Sequence, residues 1–191
     1  MAKAEYRSAI RSRKLITRAL ADLLQEKPLD KITVTDVVRR AEINRGTFYA
    51  HYTDIPDVLH HIINQMFSHI QQTAFNENHL LPDVSHVLPA AIQEVLEDDM
   101  DFCRKVMTSS AALLMEEHLV GLTVDYLLRH EETFGFGTHE QYLLTIQFCA
   151  GGLTNLYRSW FAGSLPISLE ELTGQAELLL NRIISDSTPL K

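Results

Sequence analysis

The stretch Ile32–Tyr52, ITVTDVVRRAEINRGTFYAHY, constrains this chain most. It predicts two short helices joined by a tight turn. Thr33 with Asp36 three residues on reads as a capping box with Asp in place of the usual Glu. Val37, Val38 and Ala41 then form an inward stripe. The second helix starts at Asn44, a favoured N-cap residue, with Phe48 as its core anchor. Two helices this short cannot stand alone, so a neighbouring helix must cover their apolar sides.

That neighbour is at hand. Ile16, Ala19, Leu20, Leu23 and Leu24 make one stripe on a helix running from about Ser8 to Lys27, which Pro28 ends. Arg11, Lys14 and Arg18 lie elsewhere on its surface. A fourth helix begins near Asp54, with Val58, Leu59, Ile62, Ile63, Met66, Phe67 and Ile70 at helical spacing. The polar run Asn76–Ser85, with Pro82, marks a bend or boundary around residues 70–83. Further helices are expected over Val84–Glu97, Asp99–Thr108, Leu113–Glu132, Thr138–Ala162 and Ser168–Ser185, with breaks at Thr133–Thr138 and Gly163–Ile167. Strand-like alternation is short and rare. The expected fold is all-α: an N-terminal three-helix domain over residues 1–53, a linking helix to about 70, and a C-terminal helical bundle over 71–191.

Charge divides the chain the same way. The net charge of −8 speaks against nucleic acid, but residues 1–50 hold eleven Lys/Arg against six Asp/Glu, and residues 51–191 hold six against nineteen. A basic head on an acidic body suits a molecule that meets an anion only at its head. A solvated helix face is the bland alternative for the same charges. Two cysteines, Cys103 and Cys149, fit neither a disulfide framework nor a zinc motif and read as buried thiols. No secretory leader and no bilayer-length apolar run is evident, so a cytoplasmic protein is expected.

A helix that enters the DNA major groove needs small or polar residues at its N-terminal end and donors that match base edges. Arg45 offers a fork suited to guanine, Gly46 permits close approach, and Thr47 can hydrogen-bond or touch a thymine methyl. Asn44, Tyr49, His51 and Tyr52 can flank the groove, while Thr33, Thr35 and Arg39 on the preceding helix are candidates for backbone contacts. Tyr49 and Tyr52 can equally be packing aromatics. Nine histidines invite a metal reading, yet no HExxH, inward Glu-x-x-His pair, Gly-rich loop or nucleophile elbow is present. Neither catalysis nor a metal or other cofactor is expected.

With these residues in view, the chain resembles the TetR/AcrR transcriptional regulators. The ITV opening, the alanine before the turn and the GTFYAHY block carry the likeness, which extends over roughly residues 8–70. The run Cys149–Trp160, CAGGLTNLYRSW, followed by a Gly-Ser-Leu-Pro turn and a last amphipathic helix, resembles the C-terminal region of a subgroup common in low-GC Gram-positive bacteria. The resemblance implies a homodimer on a palindromic double-stranded DNA operator, a small-molecule effector inside the C-terminal domain, and a repressor, with an activator or a protein-binding helical module as alternatives. It implies that the last two helices form the dimer interface. Leu143, Ile146, Ala150, Leu153 and Tyr157, and Leu169, Leu172, Ala176, Leu179, Leu180 and Ile183, fall at helical spacing there, either facing a partner or facing the subunit's own core. Candidate effector-lining residues are Phe102, Met107, Leu114, Met115, His118, Leu122, Tyr126, Phe148 and Trp160, all of which can equally be core.

Three positions depart from the family pattern. Glu42 stands where glycine is frequent, so a turn needing positive φ is strained or replaced. Asn44 replaces the usual serine. Thr53-Asp54-Ile55-Pro56-Asp57 lacks the lysine that often opens the fourth helix, which puts one phosphate contact per subunit in doubt.

Overall fold

The computed structural model describes residues 2–75, 81–129, 131 and 138–187, without side-chain detail at 2–6, 81–83 and 185–187. Among them the structure is helical, with no strand. In chain order the helices are α1 (Ala2–Leu24), α2 (Val34–Arg40), α3 (Arg45–Tyr49), α4 (Ile55–Ala74), α5 (Leu81–Asp98), α6 (Met100–Met107), α7 (Ala112–Arg129), α8 (His139–Phe161) and α9 (Leu169–Ser187), with a single 3-10 turn at Leu29–Lys31. The expected break at Thr133–Thr138 lies almost wholly outside the described residues, as does the central part of the Asn76–Ser85 bend.

Caps explain most of the helix starts. Thr138 accepts from the Gln141 backbone N–H while the Gln141 side chain accepts from the Thr138 N–H, a reciprocal capping box. Ser168 and Glu171 do the same for α9 at 3.1 and 2.8 Å. Sequence periodicity placed the start of α5 at Val84; it begins at Leu81, because Pro82 falls in the first turn where its missing N–H costs nothing. Pro89 lies inside α5, as it does in the expected span Val84–Glu97.

The chain clusters into two compact units. The first comprises residues 1–65 together with Asp101–Ala112, and the second comprises Met66–Met100 with Leu113–Lys191. The first unit is built on Ile16, Leu20, Val37, Phe48, Val58, Ile62 and Val106, all fully buried. In the second, Met115, Tyr126, Tyr142, Ile146, Leu153, Tyr157 and Leu172 form the core. The expected division put all of residues 71–191 in one C-terminal domain, whereas α6 and the turn after it group with the N-terminal residues. Polar ties account for this. Lys105 Nζ bonds Asp22 Oδ1 at 2.9 Å, the Gln25 side-chain amide donates to the Lys105 carbonyl at 2.6 Å, and the Leu29 N–H donates to Ser110 Oγ at 3.1 Å. Asp101, and Asp22 after it, holds the Lys105 ammonium above its ordinary range. No periodicity signal could reveal these ties, since each joins residues some eighty positions apart.

The stripes on the last two helices resolve in favour of the subunit itself. Ile146, Ala150, Leu153 and Tyr157 on α8, and Leu172, Ala176 and Leu180 on α9, are buried within one chain. Leu143, Leu169 and Ile183 are half-buried, and Leu179 is exposed.

Two helices end in the same way with different residues. At α8, the Gly163 N–H bonds Trp160 O and the Ser164 N–H bonds Ser159 O, with Gly163 at φ +75°. This is a Schellman motif with glycine at its left-handed position. At α2, Glu42 N–H bonds Arg39 O, Ile43 N–H bonds Val38 O, and Glu42 sits at φ 54°. The turn of the helix-turn-helix is thus a Schellman motif with a Cβ where glycine is at ease. The left-handed region costs a non-glycine residue about 1–2 kcal/mol, of which glycine's greater unfolded-state freedom takes back ~0.5–1 kcal/mol. Glu42→Gly is expected to raise the thermal midpoint by about 1–4 °C in scanning calorimetry, and Glu42→Val to lower it.

Candidate nucleic-acid interface

The site is assembled from the start of α2 upward. The Thr33 hydroxyl accepts from the Asp36 N–H at 3.2 Å and donates to Asp36 Oδ2 at 2.7 Å, and the Thr33 N–H donates to that same oxygen at 2.9 Å. The capping box read from the sequence is therefore present, and a fourth group joins it. Lys27 Nζ, from the segment after α1, reaches Asp36 Oδ2 at 2.7 Å. Arg39 reaches Oδ1 at 3.3 Å. The Lys27 ammonium first, then the Thr33 hydroxyl and N–H, hold the Asp36 carboxyl well below the usual carboxylate range.

Asn44 does for α3 what Thr33 does for α2. Its Oδ1 accepts from the Thr47 N–H at 2.7 Å and from the Thr47 hydroxyl at 3.1 Å. A Cβ on Gly46 would lie 3.1 Å from that oxygen, so glycine here makes room for the cap as well as for an approaching ligand. Arg45 is the first helical residue and is exposed. Its guanidinium donates to Thr35 Oγ1 at 2.7 Å. Phe48 is fully buried and pins the helix, with the Tyr49 ring edge-on at 5.4 Å. Tyr49 itself stands 57% exposed, a large ring turned to solvent.

The ten residues singled out from the sequence do not all stand free. Thr35, Arg39, Arg45, Gly46 and Tyr49 are exposed, and Thr47 and His51 are half-buried. Thr33 and Asn44 are exposed, but their side chains are occupied as caps. Tyr52 is only 5% exposed and packs as a core aromatic, one of the two roles its sequence left open. Its ring packs on His61 at 5.5 Å and Phe48 at 6.1 Å, and its hydroxyl has no hydrogen-bond partner among the described residues. Burial pushes that phenol up to about 12. Burial, and then the nearby charge of Arg13, lowers the pKa of His51 and favours its neutral form. Arg13, on α1, was not singled out from the sequence, and neither was Lys27. Periodicity assigns both to a helix surface and says nothing about which neighbour the fold brings to them.

The effector-lining candidates are scattered. Met115 and Tyr126 are core, with Tyr126 stacked near Phe75 at 5.1 Å. His118 packs on Phe67 at 5.1 Å, and burial depresses its pKa. Trp160 closes the turn after α8 by donating to Ile167 O at 2.8 Å. Phe102 and Met107 lie with the N-terminal residues, Leu114 is exposed, and Phe148 is 70% exposed. A cavity of about 40 Å³ does lie in the second unit, lined by residues of α5, α7, α8 and α9, and none of the candidates lines it. Thr123, Leu127 and Cys149 line it instead, each one residue on from Leu122, Tyr126 and Phe148. One residue is a turn of about 100° on a helix, enough to exchange a space-filling aromatic for a smaller neighbour. The hydroxyls of Thr123 and Thr145 bond their own helix, and that of Tyr142 bonds the Leu127 carbonyl, which leaves an apolar lining. Burial pushes the Cys149 thiol up to about 11 and makes it a poor nucleophile. Among the described residues no three potential metal ligands gather, and no helix is long and apolar enough to cross a membrane.

A capped short helix, presented across a Schellman turn by a second capped helix, defines a helix-turn-helix protein. Residues 16–62 match the family model described as bacterial regulatory proteins, tetR family. Over 65 residues the chain is 34% identical to the uncharacterised HTH-type transcriptional regulator YxbF of Bacillus subtilis (strain 168), covering 34% of this chain but only 17% of that protein. The fold is shared along nearly the whole chain with solved structures. The dihydroxyacetone kinase operon activator DhaS superposes with a TM-score of 0.61 at 20% identity over 93% of this chain and 98% of that one. The fatty acid degradation regulator FadR from Bacillus halodurans gives 0.65 at 20% identity over 88% and 93%. A TetR-family regulator from Streptomyces coelicolor A3 gives 0.64 at 14% identity over 93% and 96%. Residues 16–62 thus match the tetR-family regulatory region, and the fold is the one seen in TetR-family regulators of known structure.

Asp36 yields a pH test. Its folded pKa lies below its unfolded value near 3.9, so its stabilisation is fully present above about pH 4 and is lost as pH falls further. Asp36→Asn is expected to lower the thermal midpoint at pH 7, with the gap to wild type narrowing as the pH falls below about 4. A pH-independent gap would remove the carboxylate from this role.

Proposed function

We propose that the chain is a sequence-reading transcriptional regulator that binds a near-palindromic operator as a homodimer and is released or retained by a small effector. The observation that carries this reading is the presentation of Arg45. It is exposed at the first position of a capped helix and pre-positioned by the Thr35 hydroxyl at 2.7 Å. A fork held at a helix start is suited to guanine O6 and N7 in the major groove. Thr47 and Tyr49 flank it, and Thr35 and Arg39 take the role of backbone contacts. Arg45 must leave Thr35 to reach a base, which frees the Thr35 hydroxyl for phosphate.

Dimerisation is proposed through a second stripe on the last two helices, distinct from the buried one. Leu144 and Phe148 on α8 are 71% and 70% exposed, with Gly151 and Gly152 open one turn on. Leu178 and Leu179 are exposed on α9. Large apolar side chains clustered on a surface mark an interface, and glycines permit close backbone approach.

The effector site is proposed in the second unit, around the apolar cavity. At about 40 Å³ that space admits a few waters but no drug-sized molecule. An effector therefore binds a more open arrangement of α5, α7, α8 and α9, and its preference for that arrangement is what shifts the DNA-competent population. Segment 101–112, flanked in sequence by the effector-side helices and tied to α1 through Lys105 and to the turn after it through Ser110, gives such a shift a covalent route to the DNA-binding residues. Repression is proposed on the strength of the family likeness; a promoter fusion reads the sign directly.

Selection of bound duplexes from a random pool tests the DNA role, and an enriched near-palindrome is expected. Arg45→Ala should lose roughly 1–3 kcal/mol of specific affinity, about 5- to 150-fold, with dimerisation intact. Wild-type affinity in that variant would take Arg45 out of base reading. In sedimentation, Leu144→Asp with Phe148→Asp should give a helical monomer; a persistent dimer would move the interface elsewhere.

A further inference from the structure

The excess positive charge of the DNA-binding unit is not where the base-reading helix is. Residues 1–18 carry six Lys/Arg and one acidic residue, while residues 19–50 carry five of each. Within that balanced part, the cations are consumed internally. Lys27 and Arg39 pair with Asp36 at 2.7 and 3.3 Å, Arg40 with Glu26 at 2.7 Å, and Lys31 with Asp30 at 3.2 Å. Arg45 is bonded to Thr35. The start of α4, Thr53–Asp57, adds two acids and no cation. The helix-turn-helix itself is thus close to neutral, yet DNA affinity depends on cations that displace counterions from phosphates.

The first turns of α1 are the opposite. Arg7, Arg11, Arg13 and Lys14 are all exposed, and none forms an ion pair among the described residues. Arg7, Arg11 and Lys14 recur at intervals of four and three, a spacing that Arg18 continues, so they line one helix face. A solvated helix face ordinarily alternates cations with acids at that spacing, because like charges there repel. Here the repulsion is left standing. No residue from Arg7 to Leu15 is buried, so the fold does not need these side chains for its core. The family match begins at residue 16 and leaves this stretch out. Its position is the second observation. α1 packs against α3, and Arg13 lies near enough to His51 and Tyr52, just past the end of α3, to bias their titration. From Arg13 back to Ala2 the helix runs on for ~16 Å, the length of about five base pairs.

We propose that this basic stretch of α1 is a phosphate-binding surface that grips the DNA backbone flanking the bases read by α3. The inference rests on the DNA-reading role proposed above. It assigns the sequence-independent part of binding to α1 and the sequence-dependent part to Arg45, on separate helices.

The test uses the full chain and the triple variant Arg7→Gln/Arg11→Gln/Lys14→Gln, with helicity and thermal midpoint checked against wild type. The probe is the duplex that wild-type protein enriches from a random pool, with and without flanking base pairs, titrated across a salt series. The log–log salt slope should fall by about 0.9 for each lost contact, approaching ~2.7 per subunit. Affinity at physiological salt should drop roughly tenfold or more, while the ratio of enriched to scrambled duplex stays unchanged. Removing the flanks should weaken wild type and leave the variant unaffected. An unchanged salt slope, or equal loss on flank removal in both proteins, overturns the inference. If Arg45→Ala still abolishes selectivity in that case, the DNA-reading role stands without it. Failure of wild-type protein to bind any duplex overturns both.

Discussion

The Asp36 carboxylate organises the first unit. One oxygen accepts from the Thr33 N–H, the Thr33 hydroxyl and Lys27 Nζ, and the other from Arg39. Three donors on one oxygen keep it ionised and fix the start of α2 relative to the segment that follows α1. Everything downstream inherits that placement. The α2 C-terminus closes in a Schellman turn at the cost of a left-handed Glu42, and the turn sets where the Asn44 cap begins α3. Phe48 then locks α3 against the core, so Arg45 meets Thr35 rather than open water. A short helix with little stability of its own is held by caps and one buried aromatic.

Internal pairing has an electrostatic consequence. The same acids that anchor α2 and α1 neutralise the cations of the helix-turn-helix. Lys27, Arg39 and Arg40 shape the unit and leave little net charge on it. In the proposed role, most of the attraction to a polyanion comes from cations with no structural duty, those on the exposed turns of α1. Scaffold and attraction are thereby separated in sequence, and so open to separate substitution.

The second unit repeats the theme of one helix serving two sides. On α8, Ile146, Ala150 and Leu153 face inward while Leu144 and Phe148 face out. Two apolar stripes on a single helix give it a core side and an exposed apolar side. The Thr123 and Thr145 hydroxyls along the cavity bond their own helices and that of Tyr142 bonds the Leu127 carbonyl, so the walls are apolar. A ligand there competes with packing rather than filling a ready-made space.

The sequence by itself determined the helices, their caps and the turn. Thr33 with Asp36, Asn44 and Thr138 with Gln141 act within three residues of themselves, so their chemistry is legible along the chain. At Glu42 the sequence left open a strained turn or a different one, and the structure has the positive φ. Tertiary structure decided what local spacing does not encode: that Tyr52 is core, that Asp36 also takes Lys27, that Thr35 holds Arg45, and that α6 joins the N-terminal residues through Lys105. It also decided which of two adjacent helical positions lines the cavity and which faces outward, as with Cys149 and Phe148. Periodicity reports that a face is apolar, whereas the packing of distant segments determines what that face meets.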